Sequence, residues 1–136
     1  MKQRVVVQVL IKHHDKYLLF GYKHFDKHKE GYLDLVGGTV IGGEILTAGL
    51  KREVKEKVHI ELDDRDIRPV DFDSEVMTYK GKMTHVIFLR YFAEIDHESA
   101  YTNKKNKIYW IREGELMEHE FTRSTERFLR KMTLIA

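Results

Sequence analysis

Between residues 36 and 58 the chain changes from one kind of backbone to another, and that change limits the folds open to it. Gly37, Gly38, Gly42 and Gly43 fall close together, which demands a backbone that turns tightly or lies against something closely. Immediately afterwards Leu46, Leu50, Val54 and Val58 recur every fourth residue, the period of a helix that buries one stripe. A short strand over residues 32–36 therefore feeds through a glycine turn into an amphipathic helix over residues 46–58.

The flanking sequence supplies a sheet for that helix to cover. Residues 5–11 are β-rich and run through the polar turn His13-His14-Asp15-Lys16 into residues 17–22, a hairpin pattern. A basic, histidine-containing loop over residues 23–31 separates this hairpin from the glycine segment. Residues 71–79 and 83–95 bracket Lys80-Gly81-Lys82, a second hairpin, and residues 107–111 form a last short strand. Residues 118–132 read as a closing amphipathic helix with Phe121, Phe128, Leu129 and Met132 on its inner face. Strands around two helices in this order predict an α/β fold, a mixed β-sheet with a helix on each side. With 42% hydrophobic and 34% charged residues and no repeat or linker, one domain over residues 1–136 is expected.

Composition also removes several classes of function. The absence of cysteine excludes disulfides, zinc–thiolate sites and thiol catalysis. The apolar run at residues 5–11 is too short to span a membrane and lacks a small-residue cleavage site, so no membrane partner is expected and the cytoplasm is the default compartment. A net charge of +2 implies no broad nucleic-acid surface. The basic clusters at residues 23–29 and 104–107 read by default as solvated loops, and the aromatics suit core positions better than an exposed stacking platform for RNA.

On the helix after the glycines, Glu53 and Glu56 lie three residues apart and share one side with Gly49, which leaves room for close approach. Two carboxylates beside a glycine-rich turn suit a hard cation such as Mg²⁺ bridging to phosphate, although most glutamate pairs of this kind are simply solvated. The spacing of the whole segment tips the balance. Gly38, Glu44, Arg52-Glu53-Val54, Glu56 and Ile60 stand at the intervals of the Nudix box, and the segment resembles that box at seven of nine specified positions. The two departures are Lys57, in place of a second glutamate, and His59, in place of glycine. Leu18-Leu19-Phe20, Tyr32 ahead of Gly37-Gly38, and Tyr109-Trp110-Ile111 ahead of Glu115-Leu116 are similar to further landmarks of the family, whereas Val36 stands where the family usually has proline.

The resemblance implies an α/β/α sandwich and divalent-metal-assisted hydrolysis of nucleoside diphosphate-linked compounds or nucleoside triphosphates. By position, it implies that Gly37 offers a backbone carbonyl and Glu56 a carboxylate to Mg²⁺ or Mn²⁺. Glu53 would be a ligand or assist the attacking water, and Arg52 and Glu44 would pair to brace loop against helix. Gly37, Gly38 and Lys57 are the candidate substrate contacts. A further metal-binding acid from a later loop would be Glu94, Asp96 or Glu98. Lys23, His24 and His28 are candidate phosphate contacts.

The departures modify these expectations. An ammonium replaces a carboxylate at position 57, and two like charges ~4 Å apart repel by about 4 kcal/mol at an effective dielectric near 20, so weakened cation binding is expected. Lys57 is four residues after Glu53 and has a stem fit to be half buried; it is expected to stand in partly for the cation, holding Glu53 and Glu56 together. His59 should take the positive φ that ends the helix, at a cost of ~1 kcal/mol relative to glycine. The primary expectation is a pyrophosphohydrolase with a weakened metal site, as monomer or homodimer. The alternative is a catalytically impaired protein that binds a nucleotide-like ligand in a regulatory or scaffolding role.

Overall fold

A computed structural model of the chain describes residues 1–22, 31–96 and 106–136. Among these residues seven strands form one sheet around β1 (Lys2–His13), a 12-residue strand whose valines and isoleucine suit a doubly covered position. Along its whole length β1 runs parallel to β6 (Lys82–Glu94), from Lys2 opposite Thr84 to Lys12 opposite Glu94. Its other edge is divided. The N-terminal half pairs antiparallel with β4 (Val36–Thr39), and the end turns at His13–Lys16 into β2 (Lys16–Tyr22). β2 also carries the two-residue β3 (Leu33–Asp34) and, on the opposite edge, β7 (Asn106–Arg112). β5 (Ile67–Tyr79) closes the far side as an antiparallel hairpin with β6. The sheet is mixed, as the sequence pattern predicts.

Because successive strand residues face opposite sides, β1 and β2 feed two cores. Val7, Val9, Ile11, Leu18 and Phe20 meet Leu50, Val54 and Val58 of α1 (Leu46–Val58). Leu10, Tyr17, Leu19 and Leu35 meet Phe128 and Leu129 of α2 (Arg123–Lys131). Each of the three aliphatic residues by which α1 docks is fully buried, so each contributes about 1.5–3 kcal/mol of transfer free energy. Leu46, expected in the same stripe, lies at the first turn and is 37% exposed.

Several boundaries differ from the sequence reading, and the strand expected over residues 32–36 is divided into β3 and β4, which carries on through Gly37 and Gly38. β1 extends beyond residues 5–11 at both ends, because parallel pairing with β6 holds its polar termini in the ladder. β5 begins at Ile67 rather than residue 71, with a register shift between Pro69 and Asp71 where proline cannot donate. The closing helix is shorter than 118–132. A 3₁₀ segment, Glu113–Glu118, comes first, and the chain is then held extended as Leu33 N–H donates to Glu120 O and Thr122 N–H to Leu33 O. Phe121 is therefore buried from a strand-like bridge and not from a helix. No helix among the described residues is long and apolar enough to cross a membrane.

Candidate active site

β4 and α1 converge because the two glycines of β4 allow it. Gly37 pairs with Gln8 and Gly38 with Val7 of β1. A Cβ at Gly37 would run into the Val7 carbonyl, and one at Gly38 into the Glu53 carboxylate. The glycines are thus needed for close approach within a strand, and the tight turn foreseen there falls later, at Ile41–Glu44, where Glu44 N–H donates to Ile41 O.

Arg52 ties this turn to α1. Its Nε donates to Glu44 Oε2 (2.8 Å) and its Nη2 to Glu44 Oε1 (3.1 Å), a forked pair. The same Nη2 donates to Thr39 O (3.3 Å), and Nη1 donates to Glu53 Oε1 (2.9 Å). Ile41 N–H adds a bond to Glu44 Oε1 (3.1 Å). The hydrogen bonds from Arg52, then that from Ile41, hold the Glu44 carboxyl below the ordinary carboxylate range, and the bond to Glu44 raises the Arg52 guanidinium in turn. The brace between Arg52 and Glu44 is the one expected from the box.

Lys57 extends from the next turn of α1 into the β4 contact. Its ammonium donates to the Gly37 carbonyl and lies 3.2 Å from Glu53 Oε2, with the Phe20 ring centroid 5.9 Å away. Glu53 is only 12% exposed and has a cation on each oxygen: Arg52 on Oε1 and Lys57 on Oε2. The expected bridge from Lys57 to Glu56 does not form. Residues i and i−1 diverge by ~100° around a helix, so Lys57 reaches Glu53 while Glu56 stands 62% exposed, with Arg52 Nη1 3.6 Å away. The second acceptor is the Gly37 carbonyl, which the resemblance assigns to a metal ion and which here accepts from the ammonium instead. Phe20, read as a strand landmark, lies beneath Lys57 because Leu18 and Phe20 alternate toward α1. His59 ends α1 at φ 55°, the positive value expected of that position.

These contacts decide whether the residues fit a divalent cation. The Gly37 carbonyl and Glu53, two of the three proposed ligands, already hold an ammonium, and only Glu56 keeps an outward carboxylate. Among the described residues no three acidic or histidine side chains gather into a group able to hold a metal. Glu94 ends β6 and Asp96 follows it, and neither belongs to such a group. Glu98, Lys23, His24 and His28 lie outside the described residues. As arranged, the site does not fit a cation bound across Gly37 and Glu53.

The chain matches the model of the NUDIX domain over residues 1–132. It is 25% identical over 141 residues to the nucleoside triphosphatase NudI of Escherichia coli, with 99% of this chain and 100% of that protein covered. In structure it is similar to a MutT NUDIX hydrolase from Burkholderia pseudomallei, with a TM-score of 0.79 at 20% identity over 96% of this chain and 98% of that one. It is also similar to the dihydroneopterin triphosphate pyrophosphohydrolase of E. coli, with a TM-score of 0.74 at 16% identity and all of both chains covered.

Proposed function

We propose, because this chain belongs to the Nudix domain family, that it hydrolyses the pyrophosphate linkage of a nucleoside triphosphate or of a nucleoside diphosphate joined to another group. Hydrolases of the family act on pyrophosphate bonds of nucleotide derivatives and generally use divalent metal ions. The observation that carries the reading is the convergence of the Gly37–Gly38 backbone, Arg52, Glu53 and Lys57 on one side of α1. Arg52 and Lys57 there offset two of the three carboxylate charges of Glu44, Glu53 and Glu56, which lowers the repulsion that a polyphosphate would meet. Lys57 and the backbone of Gly37 and Gly38 would contact substrate. Glu44 and Arg52 would hold the turn in place, and Glu53 or Glu56 would orient the attacking water. The size match to the nucleoside triphosphatase NudI, end to end at 25% identity, supports a nucleoside triphosphate as the first substrate to try.

One observation favours a second reading, in which the protein binds a nucleotide-like ligand without cleaving it. Both oxygens of Glu53 are neutralised by Arg52 and Lys57, which leaves this carboxylate poorly placed to act as a base or ligand. Product chromatography over a panel of nucleoside triphosphates and nucleoside diphosphate derivatives, with Mg²⁺ or Mn²⁺, separates the two. The hydrolase reading expects turnover by the wild type and its loss in Glu53→Gln. An inactive wild type whose Lys57→Glu variant is active would leave only the binding reading.

A further inference from the structure

We infer that the Lys57 ammonium is the resident cation of this site: a tethered single charge that occupies the position between the Gly37 carbonyl and Glu53, closes it to a divalent metal, and makes the organisation of the β4–α1 junction independent of metal. The inference rests on the functional reading for its place in the mechanism, but its test reads metal affinity and melting temperature, so either can fail alone.

Three observations carry it. The first is geometric. A backbone carbonyl and a carboxylate from different elements, β4 and α1, converge on one ammonium, which gives Lys57 oxygen partners of the kind a hard cation takes. The second is the setting of the stem. Lys57 is 28% exposed, with its head near the Phe20 ring, so the position is a seat in the junction and not a surface ion pair. The third is charge. Among the described residues, Glu44, Glu53 and Glu56 lie within 4 Å of two cations, Arg52 and Lys57, which leaves a net charge of one negative. Replacing Lys57 by glutamate would leave three negative charges and an acceptor-lined gap, and the junction would then need an external cation to hold together. Replacing it by methionine, which keeps the apolar stem and has no charge, would leave two.

Paramagnetic titration with Mn²⁺ and thermal melts in Mn²⁺ or EDTA test this on the intact protein and three variants. The wild type should melt at the same temperature in Mn²⁺ and in EDTA, and Glu53→Gln should leave its weak Mn²⁺ binding unchanged. Lys57→Glu should bind Mn²⁺ at least about tenfold more tightly than the wild type, and its melting temperature should fall in EDTA and recover with Mn²⁺. Lys57→Met should lie between them in Mn²⁺ affinity and melt below the wild type in both media. If the glutamate variant does not fold, the methionine variant and the wild type still decide the matter. Equal Mn²⁺ affinity in Lys57→Met and wild type, or tight wild-type binding that disappears in Glu53→Gln, would overturn the inference.

Discussion

Arg52 shows how much one side chain can organise when its geometry matches its partners. The guanidinium donates to both oxygens of Glu44, to Glu53 and to the Thr39 carbonyl, a set that a planar fork serves and a lysine ammonium does not. Arg52→Lys should therefore release Glu44 and the turn while keeping the charge. Because Glu44 is held below the ordinary carboxylate range chiefly by this guanidinium, its contribution is present above the unfolded-state pKa and is lost as pH falls through the lowered folded value. Urea denaturation should find Arg52→Lys less stable than the wild type at neutral pH. The gap should narrow as pH falls below the ordinary carboxylate range and Glu44 takes up a proton; a gap that stays constant with pH would show that the pair is not the cause. At this scale the sequence was informative wherever both partners are side chains at helical or box spacing, as with Arg52 and Glu44 or Lys57 and Glu53. The Gly37 carbonyl was legible only through the family resemblance, as a cation ligand, and the Thr39 carbonyl not at all, since a backbone acceptor has no letter of its own.

Secondary-structure elements meet at the site through the two glycines of β4, and these should respond differently to the same added methyl. In Gly38→Ala the new Cβ meets the Glu53 carboxylate, the far end of a side chain that Arg52 and Lys57 hold on both sides. The fold should survive with a loss of about 1–3 kcal/mol, but Glu53 must leave its two cations and turnover should collapse. In Gly37→Ala the Cβ meets the Val7 carbonyl, a β1 backbone atom that cannot rotate away, so the larger loss of stability is expected there. Thermal melts beside turnover distinguish these outcomes; Gly37→Ala melting above Gly38→Ala would contradict the packing described. Periodicity located both helices and most strands, including the switch from strand to helix around the glycines. It overextended the last helix because Phe121 falls at a helical interval from Phe128, while its burial depends on pairing with Leu33, a long-range contact that local spacing does not encode. Leu46 keeps the helical interval but, as the first residue of α1, stays outside the buried cluster.

For the molecule as a whole, the residue most hidden from sequence reading is Arg90. It stands in an apolar strand among Phe88, Leu89 and Tyr91, where a lone arginine reads as an outward residue, yet its side chain is 0% exposed. Pairing of Arg90 with Gln8 across β6 and β1 puts it on the α2 side of the sheet, opposite α1 and the candidate site. There it donates to Gln8 Oε1 (3.2 Å), Asp71 Oδ2 (3.3 Å) and Ser124 O (3.1 Å), with the Phe88 and Phe128 rings 4.8 and 5.3 Å from its guanidinium carbon. One buried charge thus joins β1, β5, β6 and α2. Burial lowers its pKa, with the charges of Asp71 and Asp73 opposing that effect. Removing one member of such a buried pair usually costs about 3–5 kcal/mol, because the remaining polar groups lose their partner. Asp71 keeps Lys131 at 3.6 Å and Asp73 keeps Arg127 at 2.5 Å, and Ser124 O lies inside α2, so the group that chiefly loses its donor in Arg90→Met is the buried Gln8 amide oxygen, and the lower end of that range is expected. Adding Gln8→Leu removes that orphan and should recover part of the loss, a positive coupling measurable in a double-mutant cycle by urea denaturation. Since the sheet separates Arg90 from Lys57, Mn²⁺ affinity and turnover of the folded fraction should match the wild type in both variants. A change in either would mean that the two faces communicate through β1, the strand whose alternate residues line both cores.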